Sequence, residues 1–462
     1  MKTNHPALLV EPKSTPAAWP GKRVVEGRTI IQLPSTICDT EHKGPLSRKA
    51  GDLFYNNSIS GSRTRSVLLM QSVLSNQVTN QGSHRLRLLD AMTASGVRGR
   101  RWLNECKAVG ELDLQVTFCD IDPLAIEWAA SNHRLHPPAS SRAEVEFRCQ
   151  NLFQLLASTE WDWIDIDPFG SPRRFIGPAL LAAATGAVME ISATDSAALT
   201  GSAPGACLRR YGAKAVTDWL AHDTGLRILL GRLYASAASL GRSMRPLLSI
   251  WDSHHLRVSI EMDPPETEPE QQLGWRVKWP SADELAAAQT AGLHPLGPTN
   301  PQPSCLLPLD YPLDDEDSRV SGPLWVGPMA AEAVLEGMTE ELALEFCAMD
   351  SELSEGYFLQ LEGEQDSSQI IRESRTSAIR AVRYLADEAS LCSSPAVLIA
   401  VDDLTACLPI GGPPSPRKVA ARLREMGFAA AQARYANPAF RTNADWDAIS
   451  QAVLEISPPA PT

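Results

Sequence analysis

The sequence predicts an α/β fold, with a mostly parallel sheet covered by helices on both faces and a smaller C-terminal α+β domain. Three observations carry this expectation. Strand-like and helix-like runs alternate between residues 85 and 195, the pattern of a parallel sheet. A proline-rich acidic stretch interrupts the chain at 263–330. A mixed helix and strand pattern then resumes over 335–455.

The elements follow in order. Residues 1–50 read as an irregular arm with an edge strand at 24–31. Apolar positions recur at helical spacing over 66–78. RLRLLDAM (85–92) reads as a strand, VRGRRWLNEC (97–106) as a helix, LQVTFCDID (114–122) as a strand and PLAIEWAASNHRL (123–135) as a helix. VEFRCQN (145–151) and WDWIDIDPF (161–169) are strands, PALLAAA (178–184) is helical, and GAVMEISATD (186–195) is a strand. A long helix is expected over 217–240 and two strands over 246–262. Residues 263–330 hold 12 of the 35 prolines and the cluster Asp310, Asp314, Asp315, Glu316 and Asp317, so they read as a linker or insertion. The expected domains are therefore 1–262, a linker at 263–330, and 331–455.

At 462 residues, with 44% apolar and 21% charged residues, the composition is globular and excludes a collagen-like or disordered chain. No apolar run reaches the ~18 residues of a membrane span. No charged head precedes an apolar core at the start, so a cytoplasmic protein without a membrane partner is expected. Nine widely spaced cysteines without a Cys-x-x-Cys argue against a disulfide framework or a thiolate zinc site. The net charge is −13, yet residues 1–110 hold 16 Lys/Arg against 7 Asp/Glu, and 170–260 hold 10 against 5. Residues 261–330 hold 3 against 12. A local basic face is thus compatible with the acidic total.

The chemistry sits where strands end. Asp90 closes the first strand of the alternation and is followed by a small-residue turn with Gly96 and Gly99, the layout of a nucleotide-type site. Asp120 and Asp122 close the second strand, where a carboxylate either holds ribose hydroxyls or caps the helix that starts at Pro123. Asp167, Pro168, Phe169 and Gly170 follow a later strand. A carboxylate beside a flat ring suits a planar amine, the alternative being a simple strand-to-turn transition with Phe169 in the core.

Together these motifs resemble the S-adenosyl-L-methionine-dependent tRNA guanine-26 N2-dimethyltransferases. GDLFYNNSISGSRTRSV (51–67), DAMTASGVRGRRW (90–102), DIDPFGSPRRFI (165–176), SATDSAALTG (192–201), CLRRYGAK (207–214), HDTGLRILLGR (222–232), SHHLRVSIEM (253–262), GPLWVGP (322–328), LREMGF (423–428) and RYANPAFRTNA (434–444) carry the resemblance in order. It implies a Rossmann-like class I methyltransferase domain followed by a tRNA-contacting domain. It also implies transfer of one or two methyl groups to N2 of guanine 26, or also 27.

On this resemblance the cofactor contacts fall on Arg63, Arg98 and Asp120, with Asp90, Gly96, Ile121, Asn151 and Leu152 completing the set. The catalytic carboxylate falls on Asp167, and the aromatic partners of the base on Phe54 and Phe169. Asp195 either shapes the base pocket or forms a turn. Arg209, Arg210, Lys214, Arg227, Arg257, Arg434, Tyr435 and Arg441 are candidate tRNA contacts, simple solvation being the alternative. His222, His254 and His255 are not spaced as a metal set.

The chain departs from the family pattern at Asn57, Ser62, Thr64 and Asn151. The four-cysteine zinc site of many members is reduced to Cys305 within 274–321, so no metal is expected. A monomer is expected. The competing readings are an amino-methyltransferase for another tRNA base and a catalytically silent tRNA-binding or chaperone protein.

Overall fold

The computed structural model describes residues 8–9, 15–35, 53–80, 85–138, 142–252, 255–264, 272–293, 304–314, 316–350, 367–392, 397–433 and 438–457. The chain forms two compact units. One comprises residues 1–167, 181–189 and 337–383, and the other 168–180, 190–336 and 384–462.

In the first unit, β1 (Leu8–Leu9) lies antiparallel on β6, while β2 (Lys22–Glu26) and β3 (Thr29–Leu33) form a hairpin. The parallel core comprises β4 (Leu86–Ala91), β5 (Leu114–Asp120), β6 (Glu144–Cys149) and β7 (Trp161–Ile166). β4 lies between β5 and β7, β6 flanks β5, and β8 (Ala183–Ala193) follows β7. β4, β5 and β7 alternate few polar residues with buried Leu88, Leu89, Val116, Phe118, Trp163 and Ile164, as a sheet covered on both faces requires. The intervening helices are α1 (Ser60–Asn80), α2 (Val97–Glu105), α3 (Lys107–Glu111), α4 (Pro123–Leu135) and α5 (Leu152–Ser158).

Each helix after a core strand begins for a local reason. α2 starts from Gly96 in the left-handed region (φ 77°), where a side chain would also collide with Ala129. α4 starts at Pro123 behind Asp122, whose carboxylate accepts the Leu124 N–H at 3.0 Å. α5 is capped by Asn151 through the Phe153 N–H at 3.0 Å. Helices Glu340–Cys347 and Ser367–Val382 also belong to this unit. Arg65 Nη1 donates to the Ala381 carbonyl at 2.8 Å, and Arg28 Nε to that of Ala348 at 3.0 Å.

The second unit holds α6 (Arg173–Ala182, through residue 180), the end of β8, α7 (Ser196–Leu199), α8 (Pro204–Tyr211), α9 (Ala221–Ala238) and the antiparallel pair β9 (Met244–Asp252) and β10 (His255–Met262). Residues 263–330, which composition marks as a linker, build a three-stranded sheet instead. β11 (Leu273–Lys278) sits between β12 (Ser304–Pro308) and β13 (Val320–Trp325), and α10 (Ala282–Thr290) packs on it over Val277, Ala288, Cys305 and Leu307. The prolines and acids fall largely outside the strands, so segment averages hide the alternation within them. The unit ends with β14 (Val397–Ala400), β15 (Ala430–Ala433) and β16 (Ala439–Thr442), order β14-β16-β15. The helices Pro416–Glu425 and Trp446–Ile456 pack on this sheet around Phe440. Among the described residues no helix is long and apolar enough to cross a membrane.

Candidate cofactor and base site

Parallel register brings the ends of β4, β5 and β7 to one edge, with Asp90 opposite Phe118 and Ala91 opposite both Cys119 and Ile166. Asp90, Gly96, Arg98, Asp120, Ile121, Asn151 and Leu152 lie at or just beyond strand ends on this side of the sheet, whereas Arg63 of α1 is held on Glu26 of the β2–β3 hairpin. Asp90 is buried and accepts from the Thr93 hydroxyl at 2.7 Å and the Gly99 N–H at 3.0 Å. Burial raises its carboxyl against those two bonds and the nearby Arg98 charge. Gly99 is required here, because a Cβ would stand 2.6 Å from the Phe118 ring and 3.0 Å from the Asp90 carboxylate.

The loop between β4 and α2 is held in a costly shape. Met92 and Ala94 both have positive φ, at 64° and 48°. The Thr93 N–H donates to the Cys119 carbonyl at 2.9 Å, and the Ala94 N–H to Asp120 Oδ2 at 3.0 Å. Asp120 Oδ1 accepts the Asp122 N–H at 3.0 Å. The two acids thus divide the work, since Asp122 caps the helix and Asp120 ties the loop to the end of β5. Ile121 is 71% exposed beside them, whereas Leu152 is buried. Asn151 spends its amide oxygen on the α5 cap.

The two arginines expected to hold the cofactor already have carboxylate partners. Arg63 in α1 puts Nε and one Nη on the buried Glu26, at 2.6 and 2.5 Å, and also donates to the Asn56 carbonyl at 2.9 Å. Burial alone would raise the Glu26 carboxyl, but Arg63 and Arg101 outweigh it and bring it down to about 2. Tyr55 donates to the same carboxylate at 2.9 Å. Arg98 in α2 reaches Asp167 through Nη2 at 2.7 Å and Asp165 through Nε at 3.3 Å. Its Nη1 is buried with no hydrogen-bond partner among the described residues. A buried guanidinium nitrogen without an acceptor fits an added carboxylate, such as that of an amino-acid ligand.

Asp167 is half-buried just beyond β7 and Phe54 is half-buried ahead of α1. In the second unit, Phe169 is 58% exposed, so it is not a core residue. Gly170 follows at φ 74°, and its N–H donates to Thr194 Oγ1 at 2.7 Å while its carbonyl accepts from the Thr194 N–H at 2.9 Å. Asp195 accepts from the Tyr211 hydroxyl at 2.7 Å and from Arg210 at 3.0 Å.

The expected tRNA contacts separate sharply. Arg209 and Arg210 on α8 are exposed. Lys214 is half-buried and donates to the Asp317 carbonyl at 2.7 Å. Three others are corrected by their surroundings. Arg227 is buried on Asp223 at 2.8 Å and on the Trp325 and Gly327 carbonyls. Arg257 is buried on Glu190 and Ser192. Arg441 pairs with Asp223 at 3.1 Å and Glu388 at 3.3 Å. Their charges are consumed internally and are not offered to a phosphate. Arg434, Tyr435 and His254 lie outside the described residues. His222 packs edge-on against Trp251 at 4.0 Å. Among the described residues no three His, Cys, Asp or Glu side chains converge as a metal set.

Sequence reasoning missed Glu26, Tyr55 and Arg101. Nothing in a hairpin glutamate signals that two arginines from later helices will close on it. It also missed Arg173 and Arg174, which stand exposed at the start of α6, although the RR pair directly after the Asp-Pro-Phe-Gly motif was a visible signal.

A dimethylguanosine-type architecture is also what the comparisons find. The family model described as N2,N2-dimethylguanosine tRNA methyltransferase matches residues 34–357. A tRNA (guanine(26)-N(2))-dimethyltransferase of Methanosphaerula palustris is 27% identical over 435 residues, 93% of this chain and 98% of that protein. The enzyme of that name from Methanospirillum hungatei is 28% identical over 69% of this chain and 76% of its own length. Among solved structures, Trm1 from Pyrococcus horikoshii with S-adenosyl-L-methionine superposes with a TM-score of 0.65 at 21% identity, covering 93% of this chain and 99% of that one. The family match spans well over half of the chain and includes both the loop strapped to Asp120 and the Asp167 motif, so the chain belongs to the N2,N2-dimethylguanosine tRNA methyltransferase family.

Proposed function

We propose that this protein transfers one or two methyl groups from S-adenosyl-L-methionine to the exocyclic N2 of guanine 26 in tRNA, with position 27 as a further target. The observation that carries the reading is Asp167. It is a half-buried carboxylate at the end of β7, anchored by Arg98 at 2.7 Å, and the exposed Phe169 follows it two residues later.

When bound, S-adenosyl-L-methionine supplies an electrophilic methyl group on a sulfonium. Arg98, whose Nη1 is buried without an acceptor among the described residues, would hold its carboxylate, with Arg63 as the second candidate, and Asp120 and Ile121 would hold its nucleoside. Asp90, Gly96, Asn151 and Leu152 shape the surrounding edge. The guanine N2 lone pair is delocalised into the ring and is a weak nucleophile. Asp167 accepts an N2–H hydrogen bond, localises the lone pair, and takes or relays the proton as positive charge develops on N2. An aromatic ring, for which Phe54 and Phe169 are the candidates, stacks on the base and holds it in line for attack, after it has left its helical stack at a cost of a few kcal/mol. The protein acts on cytoplasmic tRNA as a monomer without zinc, and the burial of Cys305 under α10 supports the last point. The C-terminal segment contributes further tRNA contacts.

Mass spectrometry of nucleosides from unmodified tRNA incubated with protein and S-adenosyl-L-methionine tests this. N2-methylguanosine or N2,N2-dimethylguanosine mapping to position 26 is the expected result. A methyl on another base moves the substrate assignment. No methyl at all, with both ligands bound, favours a silent tRNA-binding protein.

A further inference from the structure

The strongest unused feature of the second unit is a group of arginines around Phe169. Arg173 and Arg174 open α6, and Arg209 and Arg210 close α8. One hydroxyl joins the two helices, because Ser171 Oγ donates to the Tyr211 hydroxyl at 3.0 Å and accepts the Arg173 N–H at 3.4 Å. Tyr211 in turn donates to Asp195, which also holds Arg210, whose side chain stays 45% exposed. Asp195 adjoins Thr194, which is bonded twice to Gly170, the residue after Phe169. All four arginines therefore lie within three residues of a hydrogen-bonded frame that also fixes the backbone next to Phe169.

Their surroundings set them apart from six other arginines of this unit. Arg173, Arg174 and Arg209 are exposed and make no ion pair among the described residues. Acids outnumber bases by 55 to 42 in this chain, and Arg227, Arg242, Arg245, Arg257, Arg276 and Arg319 of the same unit each hold a carboxylate. Arg174 lies over the Phe175 ring at 4.6 Å, which stiffens it without neutralising it. Leu208, beside Arg209, is 62% exposed. Exposed guanidinium groups around an exposed ring are the arrangement that grips a polyanionic backbone while a base stacks.

We propose that Arg173, Arg174 and Arg209 form a clamp for the RNA phosphates that flank the methylated nucleotide, and that the Ser171–Tyr211–Asp195 frame sets it around Phe169. The inference rests on the proposed tRNA substrate and adds the place where its backbone is held. Arg210 is a secondary member, because Asp195 already neutralises it in part.

The test uses the full chain and unmodified tRNA transcript, with binding measured from 50 to 200 mM salt. Three variants are compared with wild type: R173A/R174A, R209A, and R417A/K418A. The last pair lies on the exposed start of helix Pro416–Glu425 and removes the same charge elsewhere. Each lost phosphate contact should lower the log–log salt slope by about 0.7–0.9. R173A/R174A should therefore lose one to two units of slope and at least ~10-fold in tRNA affinity at the higher salt. R209A should lose about one unit. S-adenosyl-L-methionine affinity and melting temperature should stay at wild-type values in all three. Tight binding by the wild type with an unchanged slope in R173A/R174A and R209A overturns the clamp alone, as does an equal loss in R417A/K418A. A wild-type chain that neither binds nor methylates tRNA overturns the substrate reading and the clamp together.

Discussion

The carboxyl edge of β4, β5 and β7 in the first unit and the α6–α8 face of the second solve opposite problems. In the first unit charges are answered from within: Asp167 at the edge by Arg98, and Glu26 in the β2–β3 hairpin by Arg63, Tyr55 and Arg101. On the α6–α8 face, three arginines are left to solvent. A small ligand needs polar groups fixed before it arrives, and burial supplies that. A nucleic-acid backbone is long, charged and mobile, and it is met with cations that cost little to expose. The contrast also explains why residue type alone misplaced Arg227, Arg257 and Arg441. Arginine serves both roles, and only its surroundings tell which.

The largest effect should come from the edge. Asp167→Asn keeps the shape but loses the charge, so kcat should fall about 10²–10⁴-fold while S-adenosyl-L-methionine affinity changes only a few-fold. Single-turnover transfer together with calorimetric cofactor binding checks this, and a variant retaining full rate would remove Asp167 from the chemistry.

Next come the two classes of arginine. Arg257→Ala strands the buried Glu190 and should cost about 3–5 kcal/mol of stability. Arg209→Ala should change stability by less than about 0.5 kcal/mol. Urea unfolding of the pair decides whether the distinction between consumed and offered charge holds.

The third prediction concerns pH. Glu26 titrates near 2 when folded against 4.5 in an ordinary setting, so the unfolded chain binds its proton first as pH falls. Its contribution is complete above pH ~4.5 and is lost as pH drops toward ~2, an effect of about 3 kcal/mol. Glu26→Gln should flatten that part of the stability curve, and equal slopes in both proteins would mean that the pair does not hold Glu26 ionised.

The smallest effect tests the exposed ring. Phe169→Ala should leave stability within about 0.5 kcal/mol. It should lower kcat/KM for tRNA by the ~1–3 kcal/mol that one stacked base is worth. An unchanged kcat/KM would take Phe169 out of base recognition.

Much of this was legible in the sequence where periodicity and punctuation agree. α4 spans 123–135 as its Asp-Pro start predicts, and β4, β5 and β7 end at the acids that mark the candidate edge. The sheet of β11, β12 and β13 was not legible, because its strands pair across proline-rich loops and local composition carries no trace of the partner strand. Nor was the left-handed backbone at Met92 and Ala94, since neither residue favours positive φ. That conformation is imposed by bonds to Cys119 and Asp120, nearly thirty positions later.

One ion pair bears on how such a chain can be shortened or recombined. Asp223 in α9 is buried, and although burial opposes its charge, Arg227 and Arg441 hold its carboxyl well below the usual range. Arg441 lies on β16, more than two hundred positions downstream. A version ending before β16 would bury that carboxylate with half its countercharge. An exchange of C-terminal segments between relatives succeeds only if both ends of the pair travel together. The last strands are therefore inherited with the middle of the chain, whatever their sequence boundaries suggest.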